Sequence, residues 1–150
     1  MIFDTKYGNT KLVAQQIAEG LTEVEGIEVT VCNAKQVDAQ KLLNCDALVI
    51  GAPNHMGKPY RTITKFVEGL AEFELKAQWA AAFDTYFQRQ RYYMKAAKKL
   101  EKQLSKKLPN LKVIPGLSVK VTGVNGPVAD GELGKAREFG KKTAGLIIGK

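Results

Sequence analysis

Three short stretches hold most of the chemically versatile side chains of this chain: DTKYGNT at positions 4–10, APNHMGKPY at 52–60 and DTYFQRQRYY at 84–93. The first sets the hydroxyls of Thr5 and Thr10, the amide of Asn9 and the flexible Gly8 directly before a periodic apolar segment. A helix N-terminus offers unpaired N–H groups and a favourable dipole to an anion, and glycine lets the backbone approach it closely. Thr5, Asn9 and Thr10 can donate to phosphate oxygens. A local use is equally open, in which Asn9 or Thr10 simply caps the helix. The glycine spacing matches neither G-x-G-x-x-G nor the G-x-x-x-x-G-K-S/T loop, so the first stretch alone does not decide between the two.

Other chemistries have less to build on. His55 is the only histidine, which leaves a zinc site or a Ser-His-Asp relay without its remaining members. Asp84 at a strand end has the look of a phospho-acceptor, but that chemistry needs an acidic pair after the first strand, and Asp4 stands alone there. Cys32 and Cys45 form no C-x-x-C pair and are read as reduced packing residues, and Trp79 as core.

Elements must hold these loops. Val13, Ile17 and Leu21 recur at helical spacing, predicting a helix from Thr10 to Glu23, and GIEVTVCN alternates as a strand. DALVIGAP is a continuous apolar run, as in a strand buried on both faces. RTITKFVEGL is helical, and AQWAAAFDT is read as a strand despite its alanines because it lies between helices. In YMKAAKKLEKQLSKKL, Ala97, Leu100, Leu104 and Leu108 share one stripe before Pro109; LSVKV alternates, and the last segment is helical. Strands alternating with helices imply a parallel sheet covered on both faces, with ligands at the carboxyl ends of the strands. All three polar stretches fall there.

At 150 residues, 45% hydrophobic and 25% charged, the chain is expected to form one globular domain over residues 1–150. No apolar run approaches the roughly 20 residues of a membrane span, and no signal-like segment opens the chain, so a cytoplasmic protein is expected. The net charge of +8 is local: nine basic residues against Glu101 alone lie between Arg89 and Lys112. This basic stripe is read either as a solvated helix face or as a docking surface, with nucleic-acid binding disfavoured for want of a stacking platform.

TKYGNT, GAPNHMGKPYRTITKF and FDTYFQ together resemble the flavodoxin family: the first is similar to its Ser/Thr-x-Thr-Gly-x-Thr phosphate loop, the others to its two flavin-ring loops. The resemblance covers essentially the whole chain and is to the short-chain members. It implies a flavodoxin-like α/β/α sandwich with a five-stranded parallel sheet in the order 2-1-3-4-5. It implies FMN as cofactor, with Thr5, Lys6, Tyr7, Gly8, Asn9 and Thr10 around the phosphate, Pro53, Asn54, His55, Met56 and Gly57 on one side of the ring, and Asp84, Thr85, Tyr86 and Phe87 on the other. Among the aromatic residues there, Tyr86 is the first choice for the ring. Gly57 is the position freest to let a peptide beside the ring reorient.

The implied function is single-electron transfer between protein partners. An acidic redox protein, ferredoxin-like, is expected to dock near Arg89–Lys112. The enzyme alternative keeps FMN and takes hydride from NAD(P)H to reduce quinones; a non-redox interaction module with a degenerate FMN site is the third reading.

The chain departs from the family pattern in five respects. Tyr7 replaces a usual threonine, and Lys6 adds a charge. The second loop lacks a tryptophan. The surroundings are basic, which predicts a less negative second reduction potential than in an acidic relative. Finally, only Met1, Ile2 and Phe3 precede Asp4, so the central first strand is expected to be shortened at its start.

Overall fold

The computed structural model describes residues 1–87 and 89–149. The chain runs β1 (Ile2–Phe3), α1 (Asn9–Thr22), β2 (Cys32–Asn33), β3 (Ala47–His55), β4 (Lys58–Pro59), α2 (Arg61–Leu70), β5 (Trp79–Phe87), α3 (Lys95–Lys107), β6 (Lys112–Val121) and α4 (Glu132–Ile148). Short 3-10 turns cover Ala39–Leu42 and Gln90–Tyr92.

Period-two alternation along β3 and β5 creates the layers. Leu48 and Ile50 of β3, with Ala80 and Ala82 of β5, pack with Ile63, Val67, Leu100 and Leu104 of α2 and α3. Val49, Ala81 and Phe83 belong to the opposite cluster, with Val13 and Ile17 of α1 and Ala136 and Ala144 of α4. Short β1 contributes one side chain to each, Ile2 to the first and Phe3 to the second. Two buried faces explain the continuous apolar reading of β3.

The strand order is β2-β1-β3-β5-β6, with parallel pairing throughout. This is the expected 2-1-3-4-5 order, renumbered by one added strand: β4 pairs antiparallel with the end of β3.

Two boundaries differ from expectation. The stretch Ile27–Val31 is not part of the ladder; β2 is confined to Cys32–Asn33, which pair with Ile2 and Phe3. A strand needs a partner, and β1 has two residues to offer. The last strand starts at Lys112, well before LSVKV, because a register irregularity opposite Ala81–Phe83 carries it past Pro115 and Gly116. Such a bulge suits proline on an edge strand. The lysine stripe is placed as read: Ala97, Leu100 and Leu104 are buried, while Lys95, Lys98, Lys99, Lys102, Lys106 and Lys107 are exposed.

Candidate functional site

The first loop closes on itself before α1 begins. Gly8 is the N-cap residue with φ 93, a left-handed conformation that favours glycine, and no side chain caps the helix. Neither Asn9 nor Thr10 takes the capping role, so the N–H groups of the first turn face outward, where an anion can use them. A Cβ on Gly8 would meet nothing within 4 Å, so the space before the loop is open. The Gly8 N–H donates to Thr5 Oγ1 at 2.9 Å.

Asp4 beneath the loop is 2% exposed; it accepts the Thr5 N–H at 2.8 Å and lies 3.9 Å from the Lys35 ammonium. Lys6 and Tyr7 are exposed, with the Lys6 ammonium 5.4 Å from the Tyr7 ring centroid.

The second loop is a hairpin rather than an irregular loop. Asn54 pairs with Pro59 and His55 with Lys58, leaving Met56 and Gly57 as a two-residue turn with φ 53 and 87. Positive φ at both central residues is the geometry that matches strand twist in such hairpins. Glycine is at ease there, whereas methionine is not. Met56 is 70% exposed at the tip, and the Lys95 stem packs against Gly57.

Asp84, fully buried on β5, ties the loops together. Its Oδ1 accepts from Ser118 Oγ, and its Oδ2 accepts the Ala97 N–H at 2.9 Å and the Asn54 amide at 3.3 Å. The same Asn54 amide donates to the Tyr92 carbonyl at 2.6 Å, while Asn54 Oδ1 accepts the Gly57 N–H at 2.8 Å. Ser118 in turn accepts the Met94 N–H at 3.1 Å. Next in sequence, Thr85 shares a 2.9 Å hydrogen bond with Thr10 of the first loop. One residue pair on β5 thus joins all three polar stretches. Burial pushes the Asp84 carboxyl up to about 6, against the pull of these donors.

The side chains named from the sequence therefore divide into two layers. Thr10, Asp84 and Thr85 are buried supports, as is Tyr86. Tyr7, Gly8, His55 and Met56 are exposed at the rim, and Thr5, Asn9, Pro53, Asn54 and Phe87 are intermediate. Gln88, last in the FDTYFQ stretch, lies outside the described residues.

Several neighbours lie outside the chosen site residues, among them Tyr93, which the sequence places in the aromatic cluster with Tyr86, Phe87 and Tyr92. Tyr93 stands edge-on to Tyr86, with ring centroids 5.7 Å apart, and is 48% exposed where Tyr86 is 5%. Tyr60, immediately before α2, lies in electrostatic range of Lys6, Asp4 and Tyr7. Gly126 packs against the Asn9 side chain from the β6–α4 connection. Ser118 gave no signal, because its partner is 34 residues away. Tyr93 did give one, in the cluster of aromatic residues after β5.

A doubly wound α/β sheet with a phosphate-type loop at the head of α1 and two further loops at the same edge defines a nucleotide-binding protein of the flavodoxin-like fold. A family model described as Flavodoxin matches residues 1–122, and the chain belongs to the flavodoxin family.

The flavodoxin of Aquifex aeolicus (strain VF5) is 39% identical over 57 residues, 38% of this chain and 31% of that protein. The flavodoxin of Clostridium saccharobutylicum is 29% identical over 85 residues, 57% of this chain and 53% of that one. The matches thus span about a third and about half of these curated relatives' lengths. Among solved structures, oxidised flavodoxin 1 from Bacillus cereus superposes with a TM-score of 0.73 at 25% identity, over 93% of this chain and 92% of that one.

The family implies FMN as cofactor, and the residues present fit its phosphate: an uncapped helix start, an open cradle at Gly8 and the flanking Thr5 hydroxyl.

Proposed function

We propose that this protein is a cytoplasmic FMN-dependent carrier that passes single electrons between protein partners. The observation that carries this reading is the convergence of the uncapped Gly8–Asn9 helix start, the Met56–Gly57 turn and the β5–α3 connection at one edge of the sheet.

In this reading Thr5, Lys6, Tyr7, Gly8, Asn9 and Thr10 surround the FMN phosphate, and the first-turn N–H groups neutralise it. Pro53, Asn54, His55, Met56 and Gly57 flank one side of the ring. Phe87, with Tyr93 added, flanks the other, and the buried Tyr86 stands behind Tyr93 above the Asp84–Thr85 support. Bound FMN supplies the one-electron chemistry. The protein orients the ring, and the hairpin and aromatic residues limit its contact with water. No helix among the described residues is long and apolar enough to cross a membrane, and the reading requires none.

The exposed lysines of α3 sit directly after this edge, and they favour an acidic redox protein as partner. Its binding should weaken steeply with salt.

The test is a titration of the FMN-free protein with FMN, followed by flavin fluorescence and then by stepwise chemical reduction. Tight quenching and two resolved one-electron steps are expected. A chain that leaves FMN fluorescence unchanged is no carrier, and oxidation of NAD(P)H by the loaded protein would turn the reading toward a reductase.

A further inference from the structure

The site edge contains a fully buried carboxylate, Asp84, that neither the phosphate nor the ring requires. We propose that Asp84 is a positioning residue for the flavin-facing turn: through the Asn54 amide it holds the Gly57 N–H, so that the turn tightens or loosens with the protonation of this one carboxylate. The functional meaning rests on the FMN site proposed above, and the geometry on the hydrogen-bond chain alone.

An ionised carboxylate only accepts, which suits the donors around Asp84: Ser118 Oγ, the Ala97 N–H and the Asn54 amide. The Asn54 amide also donates to the Tyr92 carbonyl at 2.6 Å, and the two bonds together turn the Asn54 carbonyl oxygen toward the Gly57 N–H, which it meets at 2.8 Å. Protonation removes the charge that strengthens these bonds and adds an O–H in need of an acceptor. If Asn54 turns to accept it, its NH2 faces the Gly57 N–H, donor against donor. If Ser118 accepts it, the Asn54 bond still loses its charge assistance. Either way the turn is held less firmly.

A carboxylate serving only the start of α3 would need the Ala97 bond alone. Here the same Oδ2 also reaches Asn54, and both non-glycine residues of positive φ among the described residues, Met56 and Met94, flank this chain of bonds. Burial holds the Asp84 carboxyl at about 6, so the change falls in a range a cell visits.

Ionisable and charged groups beside this chain of bonds are His55, next to Asn54 in sequence, Tyr92, whose carbonyl accepts from Asn54, Lys95 against Gly57, and Tyr86, which pairs with Lys120 of β6 and lies in range of Tyr93, Asp84 and, from α4, Glu132 and Lys135. The hydrogen bonds to Asp84 come from uncharged groups.

The experiment follows the Gly57 amide resonance of the 15N-labelled full chain without FMN between about pH 5 and 8. The wild type, Asp84→Asn and Ser118→Ala are compared. The wild-type resonance should titrate with a midpoint near 6 and Asp84→Asn should abolish the titration. Ser118→Ala removes a donor that favours the charged form, and so should move the midpoint upward. His55 lies two residues away and is retained in Asp84→Asn, so a Gly57 shift shared by that variant has a source other than Asp84 and overturns the proposal, as does a resonance that does not move.

FMN affinity over the same range supplies the functional arm. The phosphate titrates equally against both proteins, so the ratio of wild-type to Asp84→Asn affinity should fall several-fold toward low pH. A flat ratio overturns the positioning role. Should the chain bind no FMN, the amide titration still decides the coupling separately.

Discussion

At its carboxyl edge the sheet is tied by polar bonds: Asp84, Asn54, Ser118, Thr85 and Thr10 link segments up to 75 residues apart. At its amino edge the same layers border an open cavity of about 1060 Å³ lined by Val29, Val37, Leu42, Leu48, Trp79 and Ile147, among others. Ile27–Val31 runs beside this space without a strand partner, since β1 pairs only through Ile2 and Phe3. One edge buries a carboxylate that a stable core would avoid, and the other leaves apolar surface that a stable core would fill. The contrast separates two kinds of cost. The first is attached to a site and the second is not, so removing the first should alter function and removing the second should leave it unchanged.

Asp84→Asn should give the largest effect. Its carboxyl ordinarily titrates at 3.8 and stands at about 6 in the folded protein, so the native state binds the proton more tightly than the unfolded chain does. Stability is therefore highest below about pH 4 and is lost as pH rises toward 6; the full penalty, roughly 3 kcal/mol, persists above that. The asparagine variant should be more stable than wild type at neutral pH by up to this amount, with the difference vanishing near pH 4. Urea unfolding across pH measures it. A destabilised variant at neutral pH would mean that the bonds to Ala97, Asn54 and Ser118 outweigh burial, and the contrast between the edges would fail.

Gly8→Val comes next. A β-branched residue at φ 93 is strained, although the open space beyond would accept its side chain. FMN affinity should fall by about a hundredfold, with a smaller loss of stability. Equal affinity would show that the cradle is not where the phosphate binds.

The amino edge responds to filling. Four apolar residues added before Met1 can lie between Ile27–Val31 and the start of β3, pairing both and occupying the cavity. The expected gain is about 2 kcal/mol, or ~6 °C in melting temperature, with FMN affinity unchanged. No gain would mean that the two-residue strand suffices.

What the sequence disclosed depends on how local each feature is. The three loops were legible because glycine, hydroxyl and amide residues directly follow apolar runs. β5 was legible despite its alanines because its neighbours are helices. The hairpin was not, since methionine is an uncommon residue for a left-handed turn position, and Met56 concealed what Gly57 suggested. β2 was read too long because alternation in Ile27–Val31 reports a capacity for pairing, whereas the ladder depends on another segment. The Asp84 connections are the least local of all: Asn54 and Ser118 lie 30 and 34 residues away, and no spacing rule links them.

The smallest predicted effect tests whether the site edge feels the basic helix beside it. The Lys95 stem packs on Gly57, which places its ammonium nearer the turn than a purely solvated lysine would be. Lys95→Gln keeps most of the stem and removes the charge. The second reduction step of the bound FMN should become more negative by on the order of 20 mV, measured by spectroelectrochemical titration, and the difference should shrink with added salt. A shift of that sign would make α3 part of the electrostatic environment of the ring. A potential identical in both proteins would confine the lysines to solvation and partner docking, and the carboxyl edge would then be tuned by its buried groups alone.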